Sequence, residues 1–349
     1  MTIPPQLPPD LRAALAGLAH GVSRRAMAGR AMAQSRAYRS GGSSRPIATR
    51  DDALAYAFTR LPATYAAAAA VFNTMTATLP SFRPRAMLDV GAGPGTAAFA
   101  ALAAWDSIAH VDLIDANAAL RRLALELMAA AGAAALRTAA QVPSYRLGDA
   151  LTLLADAAPA DLVTVSYAAG EIAPRDLDRF GQLLWERTAG ALAIVMPGTP
   201  DGHAVTQRLR DGLIAAGAHV AAPCPHDRPC PLGPTDWCHF GQRLPRSRDH
   251  LQVKGAEVPF EDEKFCYAVL SRTPGSRPPA RVLAPPKLTK AAVTAKLCRV
   301  DGVAVATTPR RDGDAFRRAR SWRWGDGVDP GGADPGGAPK RGGVSGETG

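Results

Sequence analysis

From Arg85 onward the chain alternates short apolar runs with Ala- and Leu-rich stretches of helical spacing, and this alternation restricts the fold more than any other feature. The runs are AMLDV (86–90), HVDLID (110–115), SYRLGD (144–149), DLVTVSY (161–167) and ALAIVMPG (191–198), with helices expected from Thr96, Asn117, Asp149 and about Pro174. Strands separated by a helix's length of chain cannot close as hairpins. They pair in parallel through crossovers, which predicts an α/β fold with a doubly wound parallel sheet. A further helix, HAVTQRLRDGLIAAG, precedes two late strands, WCHFGQRL and EKFCYAVLSR, that can pair antiparallel.

The flanks differ in composition. Residues 1–80 read as helix: PPDLRAALAGLAHGV, SRRAMAGRAMAQSRAYR, then a second pair from RDDALAYAFTRLP into ATYAAAAAVFNTMTATLP, with capping side chains between Thr49 and Asp52. A proline-rich hinge follows the core at 271–286, then two strand-like runs, AAVTAKLCRV and GVAVATT. The expected organisation is a helical region at 1–80, a core at 81–271 with a cysteine-rich insert at 222–250, a basic β-rich segment at 272–326, and a disordered tail at 327–349 that has almost no bulky apolar residue.

The formal net charge of +10 is unevenly placed. Residues 1–60 hold nine Arg against three Asp, and residues 272–324 hold thirteen basic against three acidic side chains, around a mildly acidic centre. Basic flanks suit a polyanion, since each phosphate contacted releases counterions. Near the C-terminus Arg317, Arg318, Arg320 and Arg323 interleave with Trp322 and Trp324, a pattern for phosphate contact with stacking on exposed bases; the alternative is a solvated helix end whose tryptophans pack on the core. No apolar stretch approaches the ~18 residues of a membrane span, and no leader-like order opens the chain, so a cytoplasmic protein with no membrane partner is expected.

MLDVGAGPGTA places Asp89, Gly91, Gly93 and Gly95 where the first strand meets the first helix. Glycines permit a tight turn and close approach of a ligand to the backbone, and the helix N-terminus offers unpaired N–H groups. An acidic residue two positions before G-x-G-x-G, with Asp115 closing the second strand, resembles the S-adenosylmethionine site of Rossmann-like methyltransferases. The resemblance implies the methionine part of the ligand beside Asp89 and the Gly91–Gly95 backbone, the ribose on Asp115, and the adenine near Asp149. After the fourth strand stands SYAAGEI, where Ser166, Tyr167 and Glu171 can orient a substrate but none is an evident base or nucleophile, so catalytic residues stay unassigned.

Cys224, Cys230 and Cys238 are separated by five and seven intervening residues, with Cys266 and Cys298 further on. Five cysteines are too few and too odd in number for a secreted disulfide framework. The spacing departs from paired zinc knuckles and suits the varied ligation of iron–sulfur clusters, while His226 and His239 leave a zinc site open. The runs APCPHDRPCPL, DWCHFGQRLPRSR, FEDEKFCYAVLSR and RRARSWRWGD together resemble the methyltransferase-like assembly factors of the mitochondrial small ribosomal subunit and their bacterial relatives, from LAYAFTRLPATYAA to WGD near residue 326.

That resemblance implies a Rossmann-like S-adenosylmethionine-dependent methyltransferase fold, a [4Fe-4S] cluster, and binding to the small ribosomal subunit or its precursor through rRNA. It places ligands on Cys224, Cys230 and Cys238, with the fourth on Cys298; Cys266, between aromatics on an expected buried strand, reads better as apolar filler. With rRNA as the implied partner, the arginine–tryptophan pattern puts the expected RNA contacts on Arg317, Arg318, Arg320, Trp322 and Arg323. Where the family tends to be acidic before the PGTP turn, this chain has Met196. The expected function is ribosome assembly; the alternatives are an active rRNA methyltransferase and a small-molecule methyltransferase with structural zinc.

Overall fold

The computed structural model describes residues 2–39, 44, 46–135 and 143–331. The chain forms two compact units, divided between Arg277 and Pro278.

The first unit opens with α1 (Pro9–Leu18), α2 (Arg24–Arg39) and α3 (Arg50–Thr78). Thr49 and Asp52 cap α3 reciprocally: Thr49 Oγ1 accepts from the Asp52 N–H and Asp52 Oδ2 from the Thr49 N–H. The helical pair expected on either side of Pro62 is instead one helix of 29 residues running through the proline. An interior proline costs about 3 kcal/mol, but α3 buries Leu54, Phe58, Leu61, Tyr65, Phe72 and Met75. Each large side chain so buried contributes about 1.5–3 kcal/mol, which outweighs the break.

The core then runs β1 (Ala86–Val90), α4 (Thr96–Ala104), β2 (His110–Asp115), α5 (Ala118–Ala135), β3 (Ser144–Leu147), α6 (Ala150–Ala155), β4 (Ala160–Ser166), α7 (Leu177–Glu186), β5 (Thr188–Pro197), α8 (Pro200–Ala215), β6 (His219–Ala222), β7 (Phe240–Pro245), α9 (Arg248–Lys254) and β8 (Phe260–Ser271). The sheet order is β3-β2-β1-β4-β5-β8-β6, with β7 also pairing β8. β1 to β5 are parallel, while β8 runs antiparallel to β5, β6 and β7. This is the doubly wound Rossmann-like architecture expected. The central strands lack polar alternation because both faces are covered: consecutive residues, Met87 to Val90 on β1, Leu162 to Val165 on β4 and Ala191 to Met196 on β5, are all buried. The late hairpin expected from WCHFGQRL and EKFCYAVLSR is present, with Phe240 opposite Phe265.

The second unit is a small antiparallel sheet of β9 (Ala280–Val282), β10 (Lys287–Leu288), β11 (Ala292–Arg299), β12 (Gly302–Pro309) and β13 (Gly327–Val328), with α10 (Gly313–Ala319) between the last two strands. The strand-like runs at 291–300 and 302–308 are β11 and β12, in register from Ala292 opposite Pro309 to Arg299 opposite Gly302. Gly327 and Val328, placed with the tail on composition, instead pair with Arg281 and Ala280, because Val328 completes a core with Ala280, Val282, Ala295 and Leu297. The rest of the expected tail, 332–349, lies outside the described residues.

Candidate functional site

The sheet order reverses at β1, flanked by β2 and β4, and such a switch point leaves a crevice at the strand C-termini. Gly91, Gly93 and Gly95 turn out of β1 with φ of 71°, 54° and 81°, a region open to glycine at little cost. Gly91 is also sterically fixed, since a Cβ there would come within 2.1 Å of the Ala168 Cβ. The turn delivers the chain into α4, whose N-cap is Gly95 and whose first turn has no side-chain cap.

Asp89 closes β1 at 1% exposure. Its Oδ1 accepts the Thr164 hydroxyl at 2.6 Å, while Oδ2 is buried with no hydrogen-bond partner. Burial pushes this carboxyl up to about 7; the Thr164 bond lowers it and the Asp115 charge raises it. A carboxylate so poised is incomplete without a cation or donor at Oδ2. A cleft of about 300 Å³ opens beside it, lined by Tyr56, Thr64, Asp89, Gly91 to Pro94, Thr96, Ala97, Ser166 and Tyr167.

The other expected ligand contacts are placed less directly. Asp115 accepts the Gly93 N–H on Oδ2 at 2.8 Å and the Asn117 N–H on Oδ1 at 2.7 Å, so it shapes the glycine turn from outside the cleft lining. Tyr145 donates to the Gly93 carbonyl at 2.6 Å and steadies the same turn. Asp149 caps α6, with Oδ1 accepting from the Thr152 N–H and hydroxyl, and does not line the cleft.

At the end of β4, Tyr167 adopts φ 58°, the left-handed region that bulky residues avoid. Its hydroxyl donates to Glu263 Oε1 at 2.8 Å, and Glu263 pairs with Arg60 on α3 at 2.9 Å. The Arg60 guanidinium lies 5.6 Å from the Tyr167 ring centre. Burial works against the Arg60 charge, yet Glu263 holds its pKa above the usual value. Sequence reading missed Tyr56, which lines the cleft from α3, and Arg60 and Glu263, which reach the cleft-lining Tyr167 from α3 and β8; Glu263 leaves a trace as an acidic residue three before the buried Cys266. Glu171 accepts the Ser44 N–H and hydroxyl on one oxygen. Met196 is buried in the core, where its Cε would lie 3.2 Å from a Cβ at Gly170.

Cys224, Cys230 and Cys238 fall on the irregular connection from β6 to β7, each half-buried, and none of the five cysteines is in a disulfide. The loop is tied down by side chains. Arg210 on α8, wholly buried, donates to the carbonyls of His226 at 3.1 Å and Arg228 at 2.7 Å. Asp227 accepts the Val220 N–H at 2.8 Å and pairs with Arg277 at 2.6 Å. Trp237 donates to the Gly198 carbonyl at 3.1 Å and stacks on His239. Among the described residues, no three His, Cys, Asp or Glu side chains are gathered as a metal-binding group. Cys266 is core, 1% exposed on β8, with burial raising its thiol to about 12. Cys298 is buried on β11 of the second unit, opposite Val303 and Arg281.

In the second unit Arg317, Arg320 and Arg323 are exposed, with Arg317 paired to Asp314 and Arg320 over the Phe316 ring. Arg318 is half-buried, and Trp322 packs half-buried against Val293, Phe316 and the sheet core. The arginines therefore offer charge, while the Trp322 indole serves packing.

Residues 50–329 match the model of the family described as mitochondrial small ribosomal subunit Rsm22. The chain belongs to this family. A human relative, the mitochondrial ribosome assembly protein METTL17, is 29% identical over 299 residues, covering 78% of this Rsm22-family chain and 61% of that protein. The chain thus spans about three fifths of that relative's length. Similar solved structures include a putative RNA methyltransferase from Pyrococcus horikoshii (TM-score 0.37, 13% identity, 59% of this chain and 81% of that one). Another is magnesium protoporphyrin IX methyltransferase from Synechocystis PCC 6803 with bound SAM (TM-score 0.38, 12% identity, 60% and 80%). No described helix is long and apolar enough to cross a membrane.

Proposed function

We propose that this chain is an assembly factor of the small ribosomal subunit that binds S-adenosylmethionine in the β1–β4 cleft and uses it as a ligand rather than as a methyl source. One observation carries the reading: the buried, unpartnered Oδ2 of Asp89 at the edge of the glycine turn. The residues fit that ligand, since an ammonium group would complete Asp89 and the left-handed glycines let it approach the backbone. The bound ligand would carry an electrophilic methyl group; the chain's residues bind and orient it without taking that group. Membership of the Rsm22 family and likeness to a relative named as a ribosome assembly protein support the ribosomal partner.

A working rRNA methyltransferase has one observation in its favour, the Tyr167–Glu263 pair at the cleft. Burial, reinforced by the Glu263 charge, holds Tyr167 well above its ordinary pKa, so the phenol stays protonated at neutral pH and makes a poor base. This supports binding over transfer. The rRNA contact would lie on Arg317, Arg318, Arg320 and Arg323, with Trp322 supporting the segment that carries them.

The same reading assigns a [4Fe-4S] cluster to the loop thiols Cys224, Cys230 and Cys238, with zinc as the alternative. Three thiols within one loop suit a soft metal, but because the described side chains are not gathered as a metal-binding group, no step of the function is routed through it.

Calorimetric titration with S-adenosylmethionine, beside labelled-methyl transfer to small subunits, tests the reading. Saturable binding that is lost in Asp89→Ala, without transfer, supports it; transfer to rRNA establishes the enzyme instead; no binding sinks both. Iron and acid-labile sulfide in anaerobically purified protein decide between cluster and zinc.

A further inference from the structure

Against the cysteine loop packs a fully buried arginine that the proposed function does not use. Arg210 projects from α8 with no exposed surface, and its one carboxylate partner is the neighbouring Asp211, half exposed at the rim. Burying a guanidinium is costly unless its donors are satisfied. Here one terminal nitrogen holds two backbone carbonyls, those of His226 and Arg228, two residues apart and both between Cys224 and Cys230, while Nε is buried without a hydrogen-bond partner among the described residues. The residue between them faces elsewhere, for Asp227 takes the β6 amide of Val220 and the Arg277 guanidinium. Alternate residues are therefore pinned in two directions, which fixes the path of a segment that has no ladder of its own.

We propose that Arg210 is the positioning residue of the cysteine loop, holding the Cys224–Cys230 segment in one conformation before any metal is present. The ordering comes from α8 and β6 rather than from a bound group. Arg210 is suited to this because one terminal nitrogen serves both carbonyls while the other reaches Asp211 at the rim, whereas a lysine ammonium is a single point charge without that fixed planar spread. The inference rests on the proposed function only for what the thiols finally bind.

The test is alkylation by iodoacetamide, followed by mass spectrometry at each cysteine, on full-length protein stripped of metal by chelator under reducing conditions. In Arg210→Met, losing two charge-assisted bonds should raise labelling at Cys224 and Cys230 about tenfold or more through local opening. Buried Cys266 serves as the internal gauge and should stay unlabelled. Arg210→Lys should fall between wild type and Met, a graded rescue that general destabilisation would not produce. Wild-type labelling at both loop cysteines in both variants, with Cys266 protected, overturns the proposal. If Arg210→Met exposes Cys266, it has unfolded, and Arg210→Lys decides alone: raised loop labelling supports the proposal and unchanged labelling refutes it. The iron reading fails separately, on wild-type protein that takes up no iron and sulfide while the alkylation contrast persists.

Discussion

The cleft and the cysteine loop are built by opposite means. At the cleft, regular elements do the positioning: a strand end sets Asp89, three left-handed glycines make the turn, and α4 begins immediately after. At the loop nothing is regular between β6 and β7, and position comes from single side chains: Arg210 reaches the loop backbone from α8, while Asp227 and Trp237 reach out of the loop to the backbone of Val220 and Gly198. A site made by regular elements can hold a destabilised group, because many contacts resist its relaxation. A site made by a few ties depends on each one.

The largest effect that would break this contrast is at Asp89. Its folded pKa of about 7 lies above the unfolded value, so the stability it contributes is full in acid and is lost as pH rises toward 7. Asp89→Asn removes the buried charge. It should therefore stabilise the protein at pH 8 by up to about 4 kcal/mol, with little gain at pH 4, while abolishing binding of S-adenosylmethionine. Denaturant unfolding of both proteins at the two pH values checks this, and a gain independent of pH would show that folding does not raise the Asp89 pKa. Next comes Gly91→Ala, which adds a left-handed alanine and a Cβ 2.1 Å from Ala168. Overpacking and strain together should cost about 3 kcal/mol, and the ligand affinity should fall with it. An unchanged melting temperature would mean that the turn can shift away from Ala168.

The same contrast decides what could be read in the sequence. Asp89, the glycines and the five parallel strands were legible because their signals are local: an apolar run, an acidic residue and a glycine spacing occupy eleven consecutive positions in MLDVGAGPGTA. Arg60, Glu263 and Tyr167 meet only through the packing of α3 and β8 on the end of β4, which no local pattern announces. Pro62 misled for the same reason, since a helix break is a local rule and burial of α3 is not. Trp322 read as a stacking platform because its arginine neighbours are exposed, whereas its partners Val293 and Phe316 lie on other elements. In HAVTQRLRDGLIAAG, Arg210 looks like any polar residue on a helix; only the fold brings the His226 and Arg228 carbonyls to it.

The smallest effect probes the far end of the loop. Trp237 keeps its ring against His239 while its indole N–H reaches the Gly198 carbonyl, so Trp237→Phe removes one hydrogen bond and retains an aromatic ring. The expected loss is about 1 kcal/mol, with alkylation of Cys238 rising several-fold and that of Cys224 unchanged. The separation matters because Cys224 is held by the Arg210 tie, on the other side of Cys230. If the loop is a chain of independent ties, Trp237→Phe and Arg210→Met should act additively on the cysteines nearest each. If it is one cooperative unit, either substitution should expose Cys224, Cys230 and Cys238 together, and the loop would then resemble the cleft, a single structure that yields as a whole.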